Sequence, residues 1–200
     1  MKELVSGVFT WPWFSERHGY DFNGWLFRHG EGNVCVDPVE MSDEVLDAIA
    51  KEGVATIILT NRNHVRASAT VRERTGAKVA IHPADATHAR EQGGVVDVEI
   101  RHGEKVGPFV VVPAAGKSPG EVALHWPERR ILVVGDACVG KPPGALALLP
   151  ATVMDDPAAL RVSLARMAAE VDFETILLGD GTSIVGGGRE AMRALVATFG

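Results

Sequence analysis

The stretch Gly135 to Lys141 (GDACVGK) follows the apolar run RILVV and matches the first seven positions of a phosphate-binding loop. Such a loop needs a Ser or Thr next, to hold magnesium, and a helix whose first amides complete the anion cradle. Pro142 and Pro143 follow instead. Proline has neither a hydroxyl nor an amide proton, and a Pro-Pro-Gly run opens a helix poorly. Nucleotide binding is therefore not expected here. The glycines around 179–181 and 186–188 lack the dinucleotide spacing and read as turns. Serine chemistry finds no Gly-x-Ser-x-Gly elbow, and Ser118 and Ser183 have no base assigned by spacing. The seven histidines (18, 29, 64, 82, 88, 102 and 125) form no i, i+2 or i, i+4 pair. Cys35 and Cys138 sit in apolar, strand-like runs and read as small buried hydrophobes of a reduced, cytoplasmic protein.

The elements that must position any site are short. Strands are expected over 3–9, 22–28, 33–37, 54–60, 77–82, 95–100, 107–114, 121–127, 130–136 and 175–180, and helices over 42–52, 64–75, 84–92, 157–170 and 188–199. Early strands alternate with helices, whereas 95–136 is a run of strands, so sheets covered by helices are expected within one domain spanning 1–200. Residues 137–156 form the one long irregular stretch, which suits a lid or binding loop. Twenty basic against 26 acidic residues leave a net charge of −6, which argues against a nucleic-acid partner. No run of 18 apolar residues exists, so no membrane span is expected, and the N-terminus does not read as a secretory leader.

Four segments, in order, carry a resemblance that covers nearly the whole chain. FNGWLFRHGEGNVCVDPVE resembles the opening hairpin of the metallo-β-lactamase-fold superfamily, with Asp37 ending the strand. IILTNRNHVRAS sits where that family has a strand, a Thr and the His-x-His-x-Asp-His loop. AAGKSPGEVALHWPERRILVVGDAC resembles the stretch from the third metal histidine to the bridging aspartate, and ILLGDGTSI the late strand ending in Gly-His-Gly. The resemblance implies a four-layer αββα sandwich, with two mixed sheets, outer helices and a metal site at one edge between the sheets. It also implies a hydrolase that uses zinc, or sometimes iron, to activate water.

Carried over residue by residue, the resemblance puts Asn61 and Asn63 at the first two histidine positions, Val65 at the aspartate and Arg66 at the next histidine. Lys117 stands for the later histidine, Asp136 keeps the bridging aspartate, and Asp180 replaces the final histidine. Amides are poor zinc ligands, valine is none, and Arg and Lys are cations. A dinuclear centre is therefore not expected. Lys117 and Arg66, with Arg62 as a further cation, are expected to neutralise Asp136 and Asp180 by occupying roughly the ions' space.

The function expected on this basis is a non-metal binding or structural protein, a pseudoenzyme without cofactor that could take a small-molecule ligand. The alternative is a hydrolase with one divalent ion around His64, Asp136 and Asp180, since an imidazole and two carboxylates satisfy a hard or borderline metal. Otherwise His64 is expected to begin the helix 64–75 and bond locally. Asp37, Arg62, His64, Ser118, Trp11 and Trp13 are the expected pocket neighbours. Trp11, Trp13 and Phe14, read as a turn after the first strand, and the apolar loop 145–150 are the surfaces expected to close a homodimer.

Overall fold

The computed structural model describes residues 1–199, which divide into two compact units, Met1–Ile100 and 101–199. The first holds a seven-stranded mixed sheet in sequential order. Its strands are β1 (Lys2–Val5), β2 (Val8–Ser15), β3 (Tyr20–Phe27), β4 (Val34–Val36), β5 (Thr56–Ile58), β6 (Lys78–Ile81) and β7 (Val98–Glu99). β1 to β4 pair antiparallel through short turns; β4 to β7 run parallel, joined by α1 (Asp43–Glu52), α2 (Ser68–Thr75) and α3 (Pro83–Glu91). Parallel neighbours need such crossovers. They also bring the carboxyl ends of β4, β5 and β6 to one end of the sheet, where the loops carrying Asp37, 59–67 and His82 begin.

The second unit holds a five-stranded mixed sheet in the order β12-β11-β10-β9-β8. These are β8 (Lys105–Val106), β9 (Phe109–Pro113), β10 (Val122–Trp126), β11 (Ile131–Val134) and β12 (Thr175–Leu178), with α4 (Pro157–Glu170) and α5 (Gly188–Val196). β11 and β12 are parallel, so Asp136 and Asp180, just past their ends, emerge at the same end of this sheet. Antiparallel β9 and β10 send the loop with Lys117 to that end too. Leu160, Leu164, Met167 and Ala168 of α4 pack with Leu132, Val134, Ile176 and Leu178 of the sheet.

Several expected elements change. The run 3–9 breaks at Ser6-Gly7 into two paired strands, and residues 11–14 lie inside β2 rather than in a turn. Trp11 is consequently core: it is 3% exposed, its indole N–H donates to the Val39 carbonyl at 3.2 Å, and its ring lies where a Cβ on Gly24 would be, 2.5 Å away. The helix expected over 64–75 begins only at Ser68, because Arg66 has φ +22°, which no α-helical residue adopts. The last helix ends at Val196, followed by a 3-10 turn over Ala197–Phe199. In 145–150, Leu146 is buried and Leu148 packs on the second unit's core.

Asp97 ties the first unit together. Its carboxylate takes two bonds from Arg72 of α2, at 2.9 Å each, and one from the Val79 amide of β6. The Arg72 guanidinium, helped by that amide, holds the Asp97 carboxyl down at about 2. A depressed folded-state pKa stabilises above the unfolded value of about 3.9, and that contribution is lost as pH falls towards 2. Asp97→Asn should therefore flatten the pH dependence of denaturant stability between about pH 4 and 2, and leave the slope near neutrality unchanged.

Candidate functional site

In the first unit the site is built on Asp37. It follows β4 with φ +47°, a left-handed conformation that Asp tolerates better than most residues. Its carboxylate is 1% exposed and accepts from the Thr60 amide at 2.8 Å and the Thr60 hydroxyl at 2.6 Å. His64, fully buried, places Nδ1 2.8 Å from Asp37 Oδ2 and 3.1 Å from Thr60 Oγ1. The Thr60 proton goes to Asp37, so both neighbours of Nδ1 are acceptors and Nδ1 carries the proton. In the neutral ring the lone pair then belongs to Nε2, the posture in which a carboxylate orients a metal-ligating or proton-accepting imidazole. His64 thus bonds to the preceding strand end as well as locally, and it does not begin a helix.

The loop around it is held from both sides. Asn61 Oδ1 accepts from the Asn63 amide at 2.8 Å, and the His64 amide donates to the Asn61 carbonyl. The Arg62 amide donates to buried Asp85 of α3 at 2.9 Å, while its carbonyl accepts from Gln92 at 2.8 Å. The Ser68 hydroxyl donates to the Val65 carbonyl. Arg66 lays its guanidinium over the Phe22 ring at 4.3 Å, a cation–π contact. Its strained φ is of the kind that persists where the surroundings over-determine the backbone. Val65 packs against the first unit's core and Gly94. Trp13 stacks near Phe22 at 5.7 Å between ring centres and is 40% exposed.

In the second unit Lys117 Nζ lies 3.2 Å from Asp136 Oδ2, with the two side chains 9% and 8% exposed. Asp180 is 4% exposed. Its carbonyl accepts from the Gly140 amide at 3.0 Å, and the Gly140 carbonyl accepts from the Thr182 amide at 2.9 Å. A Cβ on Gly140 would come within 2.1 Å of the Thr182 carbonyl oxygen. The glycine of the phosphate-loop-like match is thus required by backbone packing beside Asp180. Ser118 is fully buried, and its carbonyl accepts from Gly116 and Glu121 amides. Ser183 Oγ accepts from the Leu178 amide at 3.0 Å. Fully buried Glu121 lies close enough to Cys138 to add to burial, which pushes that thiol up to about 12. Cys35 is likewise driven upward by burial. Neither thiol is a nucleophile at neutral pH.

The structure therefore joins Lys117 with Asp136, His64 with Asp37, and Asn61 with Asn63. Asp85 and Glu121 went unread in the sequence because a buried acid inside a helix or loop has no spacing signature. Thr60, just before the TNRNH loop, was visible, but its bond to Asp37 depends on β4 and β5 being parallel neighbours.

Comparison with known proteins agrees with this organisation. The profile of the metallo-β-lactamase superfamily matches residues 1–199. A hydroxyacylglutathione hydrolase of Cereibacter sphaeroides is 30% identical over 127 residues, 58% of this chain and 48% of that protein. The same enzyme from a second strain is 29% identical over the same shares. The chain spans about half the length of these curated relatives. Among solved structures, TTHA1623 in a di-iron-bound form is 26% identical, with TM-score 0.70, covering 91% of this chain and 98% of that one. A metallo-β-lactamase from Erythrobacter litoralis shares the fold at TM-score 0.78 and 19% identity, covering 99% and 96%. With a profile match from the first residue to the last but one, and four motif-bearing segments in the family's order, the chain belongs to the metallo-β-lactamase superfamily.

Proposed function

We propose that the chain is a hydrolase of this superfamily that works with one divalent ion rather than two, and that it cleaves a thioester or ester of a small hydroxy acid. The ligand we assign to the ion is His64 Nε2, whose imidazole Asp37 holds within the first unit. The observation that carries this reading is the buried Asp37–His64 pair, in which the carboxylate holds the imidazole proton on Nδ1. An imidazole whose other ring nitrogen is tied to a carboxylate suits zinc, iron or manganese. Two ions do not fit. Asn61 commits its oxygen to a backbone amide, Arg66 is stacked on Phe22, and Lys117 supplies an ammonium. The similarity to hydroxyacylglutathione hydrolases supports the substrate class proposed.

The chain's own residues divide the work. Lys117 meets Asp136 through Oδ2, so the ammonium supplies a positive charge to the carboxylate at the family's bridging position. Asp37 holds the His64 proton on Nδ1. A bound divalent ion would supply Lewis acidity and acidify a water molecule.

The second reading, a metal-free binding protein, is favoured by Lys117 alone. Hydrolysis of a hydroxyacyl-glutathione thioester, followed by thiol release with zinc, iron or manganese added in turn, separates the two. Metal-dependent turnover that disappears in His64→Ala is the expected result. Failure of every loaded form to release thiol would overturn the hydrolase reading.

A further inference from the structure

Asn61 is completely buried, and its Nδ2 finds no hydrogen-bond acceptor among the described residues. The orientation of the amide is not arbitrary. Its Oδ1 accepts from the Asn63 amide at 2.8 Å, so the oxygen is pinned and the NH2 must point the other way. A buried donor without an acceptor costs roughly 1–3 kcal/mol. An apolar side chain of similar size would avoid that cost, and the turn could be held by other residues. The nitrogen of an amide has no available lone pair and only donates, so this atom cannot hold a cation. What it can hold is an oxygen.

We propose that the Asn61 side-chain amide donates a hydrogen bond to an acceptor oxygen of the ligand: the acyl carbonyl oxygen of the substrate and a carboxylate oxygen of the acid product. This rests on the acyl-hydrolase reading above for the identity of the ligand, and on the orphaned donor for the site. A position that resembles a metal-ligand position has thus changed from holding a cation to offering a proton. The loop is built to keep the donor in place before the ligand arrives. The Asn63 amide fixes one end of the Asn61 amide, and bonds to Asp85 and Gln92 anchor Arg62 next to it. Preorganised donors aimed at a developing oxyanion are among the stronger catalytic devices.

The test follows the Asn61 side-chain NH2 by 15N–1H correlation spectra of the whole chain titrated with glycolate, with the resonance assigned by its loss in Asn61→Asp. The expected result is a saturable shift of the Asn61 NH2 pair, with the Asn63 NH2 as control. An Asn61 pair that does not move while glycolate is added overturns the proposal, whether or not the protein hydrolyses thioesters. Asn61→Asp keeps an oxygen for the Asn63 amide and replaces the donor with a carboxylate oxygen, which repels an acceptor. In a hydrolytically active protein it should lower kcat by roughly 10²–10³-fold with a smaller effect on KM. Full activity in a folded Asn61→Asp would also overturn it. Absence of thioesterase activity with a saturable NMR shift would instead sink the hydrolase reading and leave the donor site standing.

Discussion

Lys117→Ala is expected to lower the free energy of unfolding by about 3 kcal/mol or more, the usual range when one partner of a buried ion pair is removed. The reason is the company Lys117 keeps. Its ammonium lies 3.2 Å from the Asp136 carboxylate, and both side chains are less than a tenth exposed. Removing the ammonium leaves Asp136 without that counter-charge in a place where water cannot fully replace it. Were the two groups solvated, the same substitution would cost well under about 1 kcal/mol. Urea melts separate these values without ambiguity. Lys117→His is the companion experiment. It creates an imidazole at a position that resembles a metal ligand, but Asn61, Asn63 and Arg66 are unchanged, so no second ion should bind. A stability close to that of the parent chain in Lys117→Ala, or a second bound ion in Lys117→His, would contradict the ammonium's role as a stand-in for a metal.

The second large effect is expected at Asp37. Asp37→Ala removes the acceptor for three donors at once, two from Thr60 and one from His64, in a region that is fully buried. Each stranded donor costs roughly 1–3 kcal/mol. With partial relaxation, a loss of about 3–5 kcal/mol is expected, within the range seen when one member of a buried charged network is removed. Asp37→Asn is the finer probe, because Asn tolerates the positive φ and keeps an oxygen for the Thr60 amide. Its NH2 group would meet His64 Nδ1 as a donor. The imidazole proton would move to Nε2 and its lone pair would turn away from any ligand. Stability should then fall less than in Asp37→Ala, while metal affinity falls by roughly 10- to 100-fold. Equal metal affinity in Asp37→Asn and the parent chain would show that His64 is held for packing alone.

Much of this architecture could be read from residue order. Pro157 fell at a helix start because proline suits the first turn, and α4 runs Pro157–Glu170 as expected. The early strands were legible as short β-branched runs alternating with helices, and the resemblance ordered the loops correctly for the family. Reading failed where side chains bond across the sheet. The periodicity of 64–75 suited a helix, yet bonds from His64 to Asp37 and the positive φ of Arg66 hold its first turn open. Trp11 looked like a surface aromatic beside a proline. Gly24 on the neighbouring strand makes room for its ring, and only the β2–β3 register brings the two together. Lys117 and Asp136 were expected to meet because the resemblance brings their loops to one sheet end. By contrast, nothing in the spacing indicates that Asn61 keeps a donor unsatisfied.

The central claim, that one ion serves where related sites use two, is tested most directly by counting metal per chain. The protein should be purified without chelator, and zinc, iron and manganese measured against protein concentration in the parent chain and in His64→Ala. About one ion per chain, lost in His64→Ala, is the predicted result. Two ions per chain, or one that survives removal of His64, would contradict it.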